Sequence, residues 1–191
     1  MKLTADVVVL RLSPGENPQP QVLLIERGKE PFQGKWALPG GHVNDDEATI
    51  DGARRELQED TGLSARGLRF LGLADKPHRD PRGRFVSAVY RDVLPVGDHG
   101  DGLKAGDDAK NAQWFDICHG CLHPYNSTHG DIEIAFDHAE WIAAAMISIR
   151  RKAPVVEVIQ GLDDLIKLIG LGGEPEEESD TPQADATPAE P

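Results

Sequence analysis

The stretch Gly41-His-Val-Asn-Asp-Asp-Glu47, followed by Arg55-Glu-Leu-Gln-Glu-Asp-Thr-Gly-Leu63, constrains this chain more than any other. It reads as a glycine-rich turn feeding a short amphipathic helix. Asp45 or Asp46 is placed to cap the helix start, and Glu47 suits its first turn. Gly62 ends it, because glycine enters positive φ without steric cost. Ile50, Ala53 and Leu57 form an inward stripe. Glu56, Glu59 and Asp60 stand at i, i+3 and i+4, offsets that share a helix face, so three carboxylates are expected to converge. Carboxylates that close repel one another, and protonation or a cation must relieve them. Hard oxygen donors suit Mg²⁺ or Mn²⁺, and Mg²⁺ typically divides its shell between protein carboxylates and substrate phosphates.

The rest of the chain reads as strands around this helix. Ala5–Leu12 is apolar and β-branched, and Gln21–Glu26 carries Val-Leu-Leu-Ile at its centre. Ser13–Pro20 between them has turn composition. Trp36–Leu38 is a short extended piece, bent by Pro39-Gly40-Gly41 into the helix. Leu68–Leu73, Phe85–Val93 and Gln113–Ile117 read as further strands. Gly97–Lys110 reads as a long loop and Cys118–Gly130 as irregular chain. Phe136–Arg150, rich in Ala, Ile and Met, reads as a second long helix. Val155–Ile159 and Leu162–Leu168 suggest a short strand and a terminal helix. Gly52 within the first helix costs ~1 kcal/mol against Ala, and close approach of a sheet would explain it. The interleaving of strands and helices predicts a mixed α/β domain rather than a regular βαβ series. The domain is expected over residues 1–172, with an acidic, disordered tail over 173–191.

Charge limits the partners. The chain of 191 residues has a net charge of −13, which disfavours nonspecific binding to nucleic acid. Seven acids and no bases lie between Gly173 and Pro191; without them the charge is −6. No apolar run approaches the ~20 residues of a membrane span. The start, Met-Lys-Leu-Thr-Ala-Asp, lacks the apolar core of a signal peptide, so a cytoplasmic protein without a membrane partner is expected. Cys118-His-Gly-Cys121, with His123 and His129 nearby, raises a metal or redox pair; a reduced pair in a loop is the default reading.

The spacing Gly41–x5–Glu47–x7–Arg55-Glu56-Leu57–x–Glu59-Asp60–x–Gly62-Leu63 resembles the Nudix box, G-x5-E-x7-R-E-U-x-E-E-x-G-U with U aliphatic. Asp60 stands where that family usually has Glu, which keeps the charge and shortens the arm by one methylene. A second segment, His78-Arg-Asp-Pro-Arg-Gly-Arg84 followed by Phe-Val-Ser-Ala-Val-Tyr90, looks like the corresponding segment of bacterial ADP-ribose pyrophosphatase-type members. Gly34-Lys-Trp-Ala-Leu-Pro-Gly-Gly41 and Ala135-Phe-Asp-His-Ala139 fit that group too.

The resemblance implies an α/β/α sandwich around a mixed sheet and divalent-metal-dependent hydrolysis of a nucleoside diphosphate linked to another group. ADP-ribose, split to AMP and ribose 5-phosphate, is the leading substrate. It implies Glu56, Glu59 and Asp60 as metal ligands with the Gly41 carbonyl, and Mg²⁺ or Mn²⁺ as the ion. Glu59 is either the third ligand or the water-activating partner. Arg55 is expected to hold a box carboxylate beside Glu56 and Glu59 in the catalytic set, and Glu47 to brace the loop. Substrate contacts are implied at Arg79, Arg82, Arg84 and Gly40, with the alternative that these arginines pair with Asp80 and nearby acids. Asp107, Asp108 and Glu133 are candidate bases by position. His138 reads as structural, and Trp36 and Trp114 as core aromatics or adenine stackers. Members of the family are often dimers. Two other readings stand beside the leading one: a nucleoside-triphosphate pyrophosphatase, and a non-catalytic ADP-ribose sensor. The residues after Arg150 are too few and too acidic to be expected to form a DNA-binding domain.

Overall fold

The structure, a computed structural model, describes residues 1–98, 100, 102–106, 109–118, 121–124 and 132–150. The expected elements at Val155–Ile159 and Leu162–Leu168, the acidic tail, Asp107, Asp108 and His129 lie outside the described residues. In chain order the elements are β1 (Lys2–Leu12), β2 (Pro20–Arg27), β3 (Trp36–Ala37), β4 (Gly40–His42), α1 (Thr49–Thr61), β5 (Arg69–Ala74), β6 (Phe85–Val93), β7 (Ala109–Cys118), β8 (Cys121–Pro124) and α2 (His138–Arg150).

Among the described residues these strands form one mixed sheet in the order β5-β6-β1-β2-β7-β8, with β3 on β2 and β4 on β1. β1 runs parallel to β6 and antiparallel to β2 and β4. It is central, so its side chains are buried on both faces, as its near-continuous apolar run foretells. The pleat sorts them. Ala5, Val7 and Val9 pack with Leu23, Ala53, Leu57 and Trp114 on the α1 face. Val8 and Leu10 pack with Leu24, Phe115, Ile142 and Met146 on the α2 face. Helices thus cover both faces of the sheet, giving the α/β/α sandwich. Complete burial of a side chain such as Leu57 contributes ~1.5–3 kcal/mol.

Local details differ from the sequence expectation. The cap of α1 is Ala48, with no side-chain capping bond, rather than Asp45 or Asp46. The cause lies in Glu47, whose carboxylate turns back to accept the Asn44 amide at 2.8 Å and two bonds from Arg55. That turn places Glu47 ahead of the helix rather than in its first turn. Gly62 ends α1 at φ 72° as expected, its amide donating to the Gln58 carbonyl. The 102–106 segment lies along the end of α1, where the amides of Lys104 and Gly106 satisfy the carbonyls of Thr61 and Asp60. A Cβ on Gly106 would stand 1.9 Å from the Glu59 carbonyl oxygen, so this contact requires glycine. Gly52 is explained by the box loop rather than by the sheet: a Cβ there would meet Glu47 Oε1 at 3.1 Å and Val43 at 3.3 Å.

Cys118 and Cys121 are not in irregular chain. They end β7 and begin β8 and stand opposite each other in the antiparallel register. β7 itself begins at Ala109, so the expected 97–110 loop is shorter, and α2 begins at His138 rather than Phe136.

Candidate active site

The box helix and its preceding loop are joined by Arg55. Its guanidinium donates to Glu47 Oε1 at 2.6 Å and Oε2 at 3.2 Å, to Glu56 Oε1 at 2.8 Å, to Glu59 Oε2 at 3.0 Å and to the His42 carbonyl at 2.8 Å. This confirms its expected contact with the box carboxylates. The hydrogen bonds it donates to Glu47 above all hold Arg55 firmly charged, well above the usual arginine range, and Arg55 in turn holds Glu47 below the usual carboxylate range.

The three helix carboxylates do not converge as their spacing suggested. Glu56 is half-buried against Gly41, where a Cβ on the glycine would fall 2.4–2.6 Å from its carboxylate atoms. Asp60 turns to the loop and its Oδ2 accepts the Gly40 amide at 2.9 Å. Glu59 is drawn outward by Arg55 with 58% of its side chain exposed. The i+3 and i+4 positions flank a helix ridge on opposite sides: Glu56 and Glu59 share Arg55 Nη1, while Asp60 takes the Gly40 amide. Among the described residues no three acidic, histidine or cysteine side chains are close enough together to hold a metal.

The donor chemistry nonetheless fits a hard divalent cation. Burial pushes the Glu56 carboxyl above its usual range, Glu59 and Glu47 add to that push, and Arg55 only partly offsets it. A half-buried carboxylate still short of positive charge, beside a backbone loop that admits no side chain, suits a hard divalent cation.

A cavity of about 320 Å³ opens beside this group. Gly40, Gly41, Glu56 and Asp60 line it, together with Arg27, Lys29, Arg55, Arg79 and Arg82. The rings of Phe85 and Phe136 complete the wall. Arg82 lies over both, 4.6 and 5.9 Å from the centroids, while Arg27 lies 4.9 Å over Phe136.

The three arginines of the 78–84 segment take separate positions. Arg79 has only 4% of its side chain exposed and makes a paired contact with Asp137 at 2.6 and 3.0 Å, with Asp6 at 4.0 Å. Arg82 pairs with Asp80 at 2.6 Å but keeps 41% of its side chain exposed in the cavity. Arg84 donates to the Asp75 carbonyl and does not line the cavity. Pairing with acids, the alternative considered from sequence, therefore accounts for Arg79 and for part of Arg82. Glu133 pairs with Lys35 at 3.2 Å and lies off the cavity. Trp36 and Trp114 pack in the two cores rather than at the cavity wall.

Two residues matter more than the sequence suggested. Asp6, the one acid in the apolar centre of β1, is buried at the cavity; its Oδ2 accepts the Ser87 hydroxyl at 2.5 Å. Its position opposite Gly40 leaves no room there: a Cβ on Gly40 would lie 2.4 Å from the Ala5 carbonyl oxygen and 2.5 Å from Asp6 Oδ1. An acid inside an otherwise apolar strand was the available signal. His138 is buried, and its Nδ1 accepts the Leu38 amide at 2.9 Å. The proton of the neutral ring is therefore on Nε2, 3.8 Å from Asp6 Oδ2. Burial pushes its pKa below the usual histidine value.

The chain is 45% identical over 97 residues to an ADP-ribose pyrophosphatase of Methanocaldococcus jannaschii, an alignment covering 51% of this chain and 55% of that protein. The chain spans about half the length of the curated relatives it matches. Its structure is similar to that of a MutT/nudix family protein from Enterococcus faecalis, with a TM-score of 0.71, 32% identity, and coverage of 88% of this chain and 67% of the other. It is also similar to the NUDIX domain of Shewanella oneidensis NrtR in complex with ADP ribose, with a TM-score of 0.63, 25% identity, and coverage of 78% and 88%. The NUDIX domain family model matches residues 2–134, which carry the box, the sheet and most of the cavity wall, and the chain belongs to the Nudix family.

Proposed function

We propose that this chain hydrolyses a nucleoside diphosphate linked to a second group, with ADP-ribose as the substrate and AMP and ribose 5-phosphate as the products. The observation that carries this reading is the meeting of both charges in one cavity. Glu56, Asp60 and the open Gly40-Gly41 backbone line it, and so do Arg27, Lys29, Arg55, Arg79 and Arg82. A diphosphate bridge carries negative charge on its oxygens, so it needs cations on both flanks before water can approach.

Glu56, Asp60 and the Gly41 carbonyl would hold a divalent ion, with Glu59 able to join them by leaving Arg55. When bound, that ion neutralises the bridge oxygens and makes a water more acidic. Arg55 orients Glu56 and buffers its charge. Arg82 is placed to meet the diphosphate, with Phe85 and Phe136 packed beneath its guanidinium. Glu59, the most exposed of the three helix carboxylates, does not itself line the cavity; on leaving Arg55 it is the group available to take a proton from the attacking water. Similarity to a relative described as an ADP-ribose pyrophosphatase supports this substrate.

The test is turnover on ADP-ribose, NADH, diadenosine polyphosphates and 8-oxo-dGTP with Mg²⁺ or Mn²⁺, alongside Glu59→Gln. ADP-ribose should lead, and the variant should fall by about 10²–10⁴-fold. A triphosphate leading the panel would retain the box and overturn the substrate.

A second reading, an ADP-ribose-binding sensor without hydrolysis, is favoured by two observations. Arg55 already engages Glu56 and Glu59, and the similar NrtR domain is complexed with ADP ribose. Saturable ADP-ribose binding without turnover under either metal would select it.

A further inference from the structure

Two neighbouring residues at the start of α2 grip two different walls of the cavity. Asp137 holds the Arg79 guanidinium in a paired contact, which fixes the turn between β5 and β6. His138 accepts the Leu38 amide through Nδ1 and thereby holds the chain entering Pro39-Gly40-Gly41. The segment leading into the helix is anchored independently. The Trp36 amide donates to the Glu133 carbonyl at 3.0 Å, and the Ala135 amide to the Trp36 carbonyl at 2.8 Å. Phe136 then turns through φ 55° and delivers Asp137 and His138 to their partners.

The consequence falls on the glycine loop. Leu38 is held by His138, Gly40 by the Asp60 carboxylate, and the Pro39 carbonyl by the Val7 amide at 2.9 Å. Gly40 lies against Asp6 and Gly41 against the Glu56 carboxylate with no space for a Cβ. The loop is clamped between β1, α1 and α2, and His138 is the only side chain of α2 that the hydrogen bonds of the described residues join to it. A buried amide needs its acceptor, and an apolar replacement would leave the Leu38 N–H unpaired.

We propose that His138 is a positioning residue for the hydrolysis: through the Leu38 amide it sets the Gly40-Gly41 backbone against Glu56, while Asp137 sets the opposing arginine turn. The inference rests on the hydrolase reading for its effect on rate, and on the hydrogen bond alone for its effect on the loop. A histidine that touches no reacting atom acts here by placing one that does, and displacement of a reacting group by about 1 Å can cost ~10²-fold in rate.

Two variants separate the roles. Asparagine carries an oxygen where histidine carries Nδ1, so His138→Asn keeps the acceptor; His138→Leu removes it. Amide ¹H–¹⁵N spectra, thermal midpoints and separate kcat and KM values for ADP-ribose would be measured on both. The expected result is a shift of the Leu38, Gly40 and Gly41 amides in His138→Leu, with kcat lowered tenfold or more and KM within about threefold. His138→Asn should restore the Leu38 amide and most of kcat. Unmoved Gly40 and Gly41 amides in a folded His138→Leu would overturn the proposal. So would a kcat in His138→Asn as low as that of the leucine variant despite a restored Leu38 amide. If His138→Leu does not fold, the asparagine variant decides alone, by the same amides and by kcat. If the wild-type protein turns over nothing, the hydrolase reading fails, and the amide shifts alone decide whether His138 positions the loop.

Discussion

Arg55 Nη2 donates to Glu47 Oε1 at 2.6 Å, closing a ring of chain between the box loop and the box helix. The same guanidinium reaches Glu56 and Glu59. Arg55 is therefore a brace with a second duty: it gathers the carboxylates that a metal would also claim. Replacing it with alanine should leave Glu47 and Glu56 without their cation and free Glu56 from its fixed orientation. Supporting partners of metal ligands typically contribute ~10–100-fold in affinity or activity. Arg55→Ala should lower kcat/KM on the preferred substrate by that factor, and Arg55→Lys should restore little, because a single ammonium cannot match the forked contacts. Wild-type kinetics in Arg55→Lys would contradict the bracing role.

Glu56 gives a prediction of opposite sign for stability and activity. Burial raises its carboxyl pKa, so the folded protein binds this proton more tightly than the unfolded chain. Stability in the absence of metal should then fall as pH rises from about 4, the unfolded value, through the raised folded value. Glu56→Gln removes that loss and should be more stable than wild type at pH 7 without metal. It should also lose turnover. Mg²⁺ or Mn²⁺ should raise the thermal midpoint of the wild type by mass action and leave that of the variant nearly unchanged. Thermal scans with and without the ion, at pH 5 and 7.5, read both effects; equal stabilisation of both proteins by the ion would remove Glu56 from the ligand set.

The two glycines ahead of α1 answer to different neighbours. A methyl at Gly40 meets the Ala5 carbonyl in the backbone of β1, which cannot move without disturbing the sheet. A methyl at Gly41 first meets the Glu56 carboxylate, the end of a side chain. Gly40→Ala should therefore reduce thermal stability sharply, while Gly41→Ala should fold and displace Glu56. The latter is expected to lose about 10²-fold in kcat with a near-native melting curve. Circular dichroism melts paired with kinetics distinguish the two, and a Gly41→Ala protein with full activity would show that Glu56 does not act from its observed place.

The sequence carried the box, the inward stripe of its helix and most strands because each of these depends on short-range spacing. The apolar, β-branched run of Ala5–Leu12 marked β1, and the structure divides it, Ala5, Val7 and Val9 on one face and Val8 and Leu10 on the other. The i, i+3, i+4 rule put Glu56, Glu59 and Asp60 near one another, but it could not say where each carboxylate would turn. That depended on Arg55 and on the Gly40 amide, 20 residues before Asp60. The His138 contact with Leu38 spans 100 positions, and Asp6 with Ser87 spans 81, so neither leaves a local pattern. The helix start was misplaced because Glu47 was read as a first-turn residue, whereas its bonds to Asn44 and Arg55 hold it in the loop. The hairpin at Cys118 and Cys121 was hidden by a composition that looks like loop.

Arg79 and Asp137 make the pair whose loss should be felt most in folding. Arg79 is buried, and Asp6 and Asp137 are its acidic neighbours. Burial pushes the Asp137 carboxyl up, but the hydrogen bonds and charge of Arg79 outweigh it and hold the group below its usual value. The stabilisation is thus complete above the unfolded pKa of about 4 and is lost as pH falls through the folded one. Removing the cation reverses the balance: in Arg79→Met, burial favours protonated Asp137, and stability should decline as pH rises from about 4. Breaking one side of a buried pair typically costs about 3–5 kcal/mol. Urea unfolding from pH 3 to 8 should show that deficit at neutral pH and a smaller one near pH 3, where the wild type has lost its own advantage. A deficit that stays constant over the range would assign the cost to lost packing around the Arg79 stem and remove the charge pair from the account.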